Sequence, residues 1–372
     1  MKSNYKALSE LIEKVDERNA DGAITELIGV SIDKCFIKSV ANTNGTDLSK
    51  YKIIRKNEFA VSLMQVSRDS KIPIARLEDY DVAIMSPAYP IFRVKDTSVV
   101  LPEYLEMWFK RPEFDREAAF IAVGGVRGSM PWEEFAKMKL PIPPIEKQLE
   151  IVNSYKAITE RIALKKKIND NLLNSVQAIF RSWFVDYAPF DGVCPSNWET
   201  GCVEDIAEFF DSMRKPLSSL ERADMERIYP YYGAVSIVDY VDDYIFDGEY
   251  LLVSEDGIYV VDENGHPLIQ HISGKFWANN HAHILKGKAG FNEDSLYLFL
   301  ANTNMAPIVT GAAQPKINQA NLKNFPITTP DSETMLKFNN IIQPFFDQRL
   351  TNESEIKKLE ALQSLLLTRL VD

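Results

Sequence analysis

Two long stripes of apolar residues at helical spacing organise this chain. The first follows Leu140-Pro141-Ile142-Pro143-Pro144-Ile145 and runs through Ile151, Tyr155, Ile158, Ile162, Leu172, Val176, Ile179 and Trp183. Recurrence every three or four residues predicts one amphipathic helix, here over residues 144–188. The second follows a similar proline-bounded segment, Phe325-Pro326-Ile327-Thr328-Thr329-Pro330, and continues through Ile356, Leu359, Leu362, Leu366 and Leu370, predicting a helix over residues 329–372. Pro144 in the first turn starts the first helix, and Ala188-Pro189-Phe190-Asp191-Gly192 ends it. Pro330, Asp331 and Glu333 give the second a negatively charged start. Pro344 interrupts its hydrogen-bond ladder, so a kink or break is expected near Gln343. Each stripe is too apolar on one face to stand alone in water. The simplest solution is mutual packing, most naturally antiparallel, with two separate coils bound to outside partners as the alternative.

The middle of the first stripe is polar. Lys165, Lys166, Lys167 and Asn169 stand where further apolar residues belong, which costs stability but can set register. The lysines read either as a solvated helix face or as a contact to a partner or to nucleic acid passing nearby.

What precedes each stripe also repeats. Tyr5, Leu8, Leu11, Ile12 and Val15 have helical spacing, and Trp198, Val203, Ile206 and Ala207 restate that opening in the second half. Strands are expected at Ile24 to Ile32, Ile53-Ile54, Phe59 to Val66, Ile72 to Ile74 and Val82 to Met85, with turns such as Asn42-Thr43-Asn44-Gly45 between them. In the second half they are expected at Ala234 to Tyr240, Tyr250 to Val253, Ile258 to Val261, Phe276-Trp277 and His281 to Leu285. Helices begin at Leu101-Pro102 and Pro112 in the first half and span Ser295 to Asn302 in the second. The expected fold class is therefore α+β: two similar units, each a twisted β-sheet with helices, separated by two long helices packed as an antiparallel coiled coil.

Composition narrows the function. With 372 residues, 45% of them hydrophobic, the chain can build two cores. A net charge of −11 argues against coating nucleic acid by bulk electrostatics, so any such contact must come from local loops or be shared with a basic partner. No apolar run approaches a membrane span and the first residues do not form a signal segment, so a cytoplasmic protein is expected. The three cysteines, Cys35, Cys194 and Cys202, form no CxxC pair and suit a reducing compartment.

Polar loops carry the candidate chemistry. Gly124-Gly125-Val126-Arg127-Gly128-Ser129 could offer backbone N–H groups and an arginine fork to a phosphate, with a plain surface turn as the alternative. Thr310-Gly311-Ala312-Ala313-Gln314-Pro315-Lys316-Ile317-Asn318 occupies the corresponding place in the second half. Around it Arg214, Lys215, Tyr231, Tyr232, Lys275, Trp277, Asn279, Asn280 and His281 supply the amide, cationic and aromatic groups that read base edges and clamp phosphates. Catalytic signatures fail. Ser86-Pro87-Ala88-Tyr89 only faintly resembles an amino-methyltransferase motif, no Phe-x-Gly-x-Gly turn accompanies it, and no phosphate-cradling Gly-x-x-x-x-Gly-Lys-Ser/Thr is present. Glu355-Ile356-Lys357 has nuclease-like spacing but lies in a helical repeat. His281 and His283 alternate along a strand and point to opposite faces, so no metal site is expected.

The arrangement resembles the specificity subunit of type I restriction-modification systems over essentially the whole chain. The resemblance rests on the segment Leu140 to Gln148, on Trp108-Phe109-Lys110-Arg111-Pro112-Glu113-Phe114 and Tyr229-Pro230-Tyr231-Tyr232-Gly233-Ala234, on Phe246 to Tyr250 and Gly274 to His283, and on Gly311 to Asn318. It implies a non-catalytic DNA reader without cofactor. A first target-recognition domain would span residues 1–143 and a first spacer helix 144–188. A second recognition domain would span 189–328 and a second spacer helix 329–372. Its partners would be double-stranded DNA, two methyltransferase subunits and motor-nuclease restriction subunits, with no membrane. DNA contacts are then expected from Arg68, Lys71, Arg127 and Ser129 in the first domain. In the second they are expected from Arg214, Lys215, Tyr231, Lys275, Asn279, Asn280, His281, Gln314, Lys316 and Asn318. The helical seam and subunit dock would use Ile162, Leu172, Val176, Ile179, Trp183, Ile356, Leu359, Leu362, Leu366 and Leu370.

Overall fold

A computed structural model describes residues 4–39, 47–64, 66–124, 128–311 and 313–371. The chain gathers into two compact units, Met1–Lys165 with Glu355–Asp372, and Lys166–Ser354. Both expected long helices form, over Ile145–Phe184 and Ser332–Thr368. Each contributes one part to each unit rather than standing outside both.

The units open alike. In the first, strand Tyr5–Ala7, a single helical turn Leu8–Leu11 and strand Ile12–Val15 follow one another. In the second, Glu199–Cys202, Val203–Ile206 and Ala207–Phe209 do the same. The first strand of each set pairs antiparallel with the strand just before a long helix: Tyr5–Ala7 with Lys139–Pro141, and Glu199–Cys202 with Pro326–Thr329. The helical turn is also tied equivalently, Leu8 N donating to Met138 O at 2.9 Å and Val203 N to Phe325 O at 3.0 Å. The expectation of one helix through Tyr5 to Val15 is therefore corrected. Leu8 and Leu11, three apart, are both buried by a single turn, while Ile12 to Val15 pair with Ile91–Val94, a strand the sequence reading missed.

In unit one a four-stranded sheet runs in the order Ile12–Val15, Ile91–Val94, Phe59–Val61, Ile74–Arg76, joined by three two-stranded ribbons. Phe59 and Phe92 stack at 5.1 Å and Phe109, Phe114 and Phe135 pack around them to form the core. Ile151, Val152, Tyr155, Leu367 and Leu370 bring both long helices onto this core. In unit two a six-stranded sheet runs Ala207–Phe209, Ala282–Gly287, Phe246–Ser254, Ile269–Ala278, Tyr229–Tyr232, Ile237–Val241. Val176, Phe180, Met335, Phe338, Ile342 and Phe346 are buried against it.

Several local expectations shift. The strand expected from Phe59 to Val66 ends at Val61, and Val66 starts a helical turn. Ile24 to Ile32 yields only Ile28–Val30, and Ile258 to Val261 is not a strand. The Asn42 to Gly45 turn lies outside the described residues. The second long helix continues unbroken through Pro344. An interior proline costs about 3 kcal/mol, but Ile342 and Phe346 on either side are buried, and burying two such side chains returns about 3–6 kcal/mol.

Within each unit the helices run antiparallel. In unit one Thr159 Oγ1 accepts from Gln363 Nε2 at 2.8 Å, while Arg161 and Lys165, further along the first helix, both pair with the earlier Glu355, Lys165 at 2.7 Å. In unit two Asn352 Nδ2 donates to Asn169 Oδ1 at 2.8 Å. Ile162, Val176 and Ile356 are buried, and Leu370 sits in the unit-one core. Leu172, Ile179, Trp183, Leu359 and Leu366 are half-buried. Leu362, expected in the seam, is 44% exposed, while Phe180 and Phe346, not assigned to the seam, are buried. Among the described residues no helix is long and apolar enough to cross a membrane.

Candidate nucleic-acid interface

Four loops of unit two meet at one polar centre built around Asp211, Glu255 and His283. Asp211 sits in the turn after Ala207–Phe209, Glu255 ends strand Phe246–Ser254, and His283 lies on strand Ala282–Gly287. His283 is fully buried, its Nδ1 2.6 Å from Asp211 Oδ2 and its Nε2 2.8 Å from the Ile317 carbonyl. Asp211 also accepts from Gln319 Nε2 at 2.7 Å and from Ile284 N at 2.9 Å. Arg214 Nη1 donates to Glu255 at 2.6 Å and to the Ala282 carbonyl at 2.7 Å, and Lys316 Nζ lies 3.0 Å from Glu255. Backbone bonds complete the lashing: Glu255 N to His281 O and Ile317 N to Glu255 O, both at 2.9 Å. Because each buried charge has a partner, the centre holds the loops rather than opposing them.

Burial alone would raise both carboxyls. Hydrogen bonding and charge from His283, the Ile284 N–H and Arg214 outweigh burial at Asp211 and hold it below the usual carboxylate range. At Glu255 the same balance falls to Arg214, Lys316 and His283. Both groups are therefore anions at neutral pH, and the network is closed.

The rim of this centre carries exposed Lys215, Asn280, His281 and Gln314, with Lys316 half-exposed. His281 is anchored through Nδ1, 2.5 Å from Asp256 Oδ1, and remains about half exposed. These five are the sequence-selected residues that the fold brings together. Others it places elsewhere, and for Arg214, Tyr231 and Asn279, whose side chains are turned inward, the expectation that they face a ligand is corrected. Arg214 is inside the network. Tyr231 is 2% exposed on strand Tyr229–Tyr232, its hydroxyl accepting from Leu217 N at 2.9 Å. Asn279 is buried and accepts from His281 N at 2.9 Å. Asn318 caps the helix Gln319–Lys323 by accepting from Asn321 N at 2.8 Å. Lys275 is exposed on another strand, over the Tyr244 ring at 4.4 Å.

In unit one the helical turn Val66–Asp69 and the loop at Gly128-Ser129 touch. A Cβ at Gly128, whose φ is +72°, would collide with Ser67 Oγ, so glycine permits both the left-handed backbone and the close approach. Ile72 N donates to Asp115 Oδ1 at 3.1 Å, anchoring the far side of that turn. Arg68 and Lys71 are exposed and Ser129 is half-exposed beside them. Arg68 pairs with Asp69 at 2.8 Å. Arg127 lies outside the described residues.

The sequence reading missed Asp211, Glu255 and Gln319, and it named His283 only to weigh a metal. Asp211, Glu255 and His283 do bring one ligand atom each within 4.8 Å of one another. Arg214 and Lys316 already occupy Glu255, and both ring nitrogens of His283 are engaged, so the donor set is committed to internal cations and hydrogen bonds. A glutamate two residues beyond the apolar run Tyr250 to Val253 was the one available signal of a buried acid.

Residues 195–362 match the type I restriction modification DNA specificity domain. A Haemophilus influenzae protein assigned as a type I restriction enzyme specificity subunit is 38% identical over 128 residues, 34% of this chain and 32% of that relative's length. The MjaIX specificity subunit of a type I restriction enzyme from Methanocaldococcus jannaschii is 23% identical over 73% of this chain and 68% of its own length. In fold, the chain is similar to the crystal structure of a type I restriction-modification S subunit from M. genitalium, with a TM-score of 0.58, 14% identity, and 99% and 96% of the two chains covered. In sequence across its second half, and in fold over nearly its whole length, the chain is thus similar to specificity subunits of type I restriction-modification systems.

Proposed function

We propose that this chain is the non-catalytic subunit that selects the DNA sequence on which a type I restriction-modification complex acts. Residues 1–143 and 189–328 are its two recognition domains, each reading one half of a bipartite duplex target. Residues 144–188 and 329–372 are the spacer helices that set the separation of the halves. Those helices also dock two methyltransferase subunits, and the restriction subunits join that assembly. The reading is supported most by one observation: the polar loops of unit two converge on a closed buried network with Lys215, Asn280, His281, Gln314 and Lys316 around it. Amide and cationic groups held on a rigid base are what base-edge and phosphate contacts require. Partner subunits supplying positive surface account for a chain whose own net charge is −11.

The test is a domain exchange. Replacing residues 1–143 by the corresponding part of another specificity subunit, and sequencing modified bases in cells that carry the matching methyltransferase, should change one half of the modified sequence and leave the other intact. A change in both halves at once would contradict division of recognition between the units.

A further inference from the structure

Next to the rim of the polar centre, two large apolar side chains face outward. Ile258 is 82% exposed and Tyr259 is 71% exposed. They are not the frayed tip of a long loop. On one side Glu255 is locked into the network, and Asp256 is bonded to His281 and bridged to Lys316. On the other side Val260 is 1% exposed and its carbonyl accepts from Leu268 N at 3.1 Å. Gly257, at φ +149°, makes the reversal, and a Cβ there would meet Ala234 Cβ at 4.0 Å. The chain thus anchors the residues before the pair and buries the one after it while turning the pair itself outward. Leaving two such side chains in water forgoes about 3–6 kcal/mol of burial, a cost that a surface ligand can recover.

We infer that Ile258 and Tyr259 form an apolar reader that packs against bases of the DNA half-site addressed by unit two, by contact with a thymine methyl or by stacking on an opened step. This rests on the reading of the chain as a DNA-specificity subunit. The occupant follows from the neighbours. Asp256 ties the tip directly to His281 and Lys316, so whatever covers Lys316, His281 and Asn280 also meets Ile258 and Tyr259. An apolar tip beside cationic and amide groups matches a base edge, which offers a methyl group beside hydrogen-bonding atoms.

The test uses the full chain assembled with its methyltransferase and three variants: Ile258→Ser with Tyr259→Ser, Ile258→Leu with Tyr259→Phe, and Lys316→Ala. The probe is a duplex carrying the sequence found modified in cells expressing the native chain, set against a scrambled duplex over a range of salt. The serine pair should lower the preference for the specific duplex by about tenfold, the effect of losing one good base contact, with an unchanged salt slope. Modified bases sequenced from the same cells should lose definition in one half only. The leucine-phenylalanine pair should keep the preference. Full preference in the serine pair, or loss of the methyltransferase from the complex with preference per assembled complex intact, would overturn the reader. Lys316→Ala separates this from failure of the parent reading: if that reading holds, it weakens binding several-fold whatever the tip does, whereas no effect of any variant and no preference by the native complex would remove both.

Discussion

Asp294 shows how far one residue's setting departs from its sequence context. In the first turn of the helix Glu293–Ala301 it looks like an ordinary favourable acid, yet it is 3% exposed. Burial first, then repulsion from Glu249, Asp347 and Glu293, pushes its carboxyl up to about 7. His271, 3.5 Å away, is pushed down to about 4 by burial and by Arg349, so at neutral pH the two do not form an ion pair. A folded-state value above the unfolded one means stability is fully present below about pH 4 and is lost as pH rises to about 7. Asp294→Asn is expected to raise stability by on the order of 2–4 kcal/mol at pH 8 and to give no gain at pH 4, measured by thermal unfolding across that range. An equal gain at every pH would assign the effect to packing. Asp211 and Glu255 behave oppositely: their depressed values keep the loop network intact at neutral pH, and it weakens only as pH falls below the ordinary carboxylate range and through the folded-state values. Side-chain chemistry was legible here and side-chain direction was not. Arg214 and Tyr231 have the right groups for DNA, but burial turned both inward.

Among the elements, the long helices were the most legible because their apolar period persists over 40 and 37 residues. Short elements were less so, since three or four residues such as Ile12–Val15 carry too little pattern and take their form from the strand beside them. The polar middle of the first helix also has a structural reason. Asn352 is 1% exposed and its Nδ2 donates to the half-buried Asn169, placing an amide pair in the seam. Such a pair specifies register at a cost in stability. Asn352→Leu alone should destabilise unit two by about 1–3 kcal/mol, because Asn169 loses its partner. Adding Asn169→Leu should recover most of that loss. Denaturant midpoints of the two variants decide it, and equal midpoints for single and double would show that the pair is not coupled.

At the scale of the molecule, the two units are built differently from the chain although they share a plan. Unit two is one continuous stretch, whereas unit one needs Glu355–Asp372 from the far end. Leu367 and Leu370 pack into its core and Ile356 is buried. Removing residues 355–372 should therefore lower the melting temperature of unit one and leave unit two's transition close to its original temperature. Hydrogen exchange resolved along the chain would report this, and a uniform loss of protection in both units would refute the division. A truncated core loses several apolar side chains at about 1.5–3 kcal/mol each, enough to unfold a marginal domain.

Duplication, the two long helices, their polar middle and the polar residue types gathered in loops were determined by the sequence itself, because periodicity and side-chain chemistry are local properties. Tertiary structure alone decided which half of each helix joins which core, and which polar groups form the closed network around His283. It also decided that Ile258 and Tyr259 face outward rather than lie in a strand. Each of those outcomes depends on neighbours tens or hundreds of residues away, and burial, which they create, is what turns a side chain inward or leaves it free to meet a ligand.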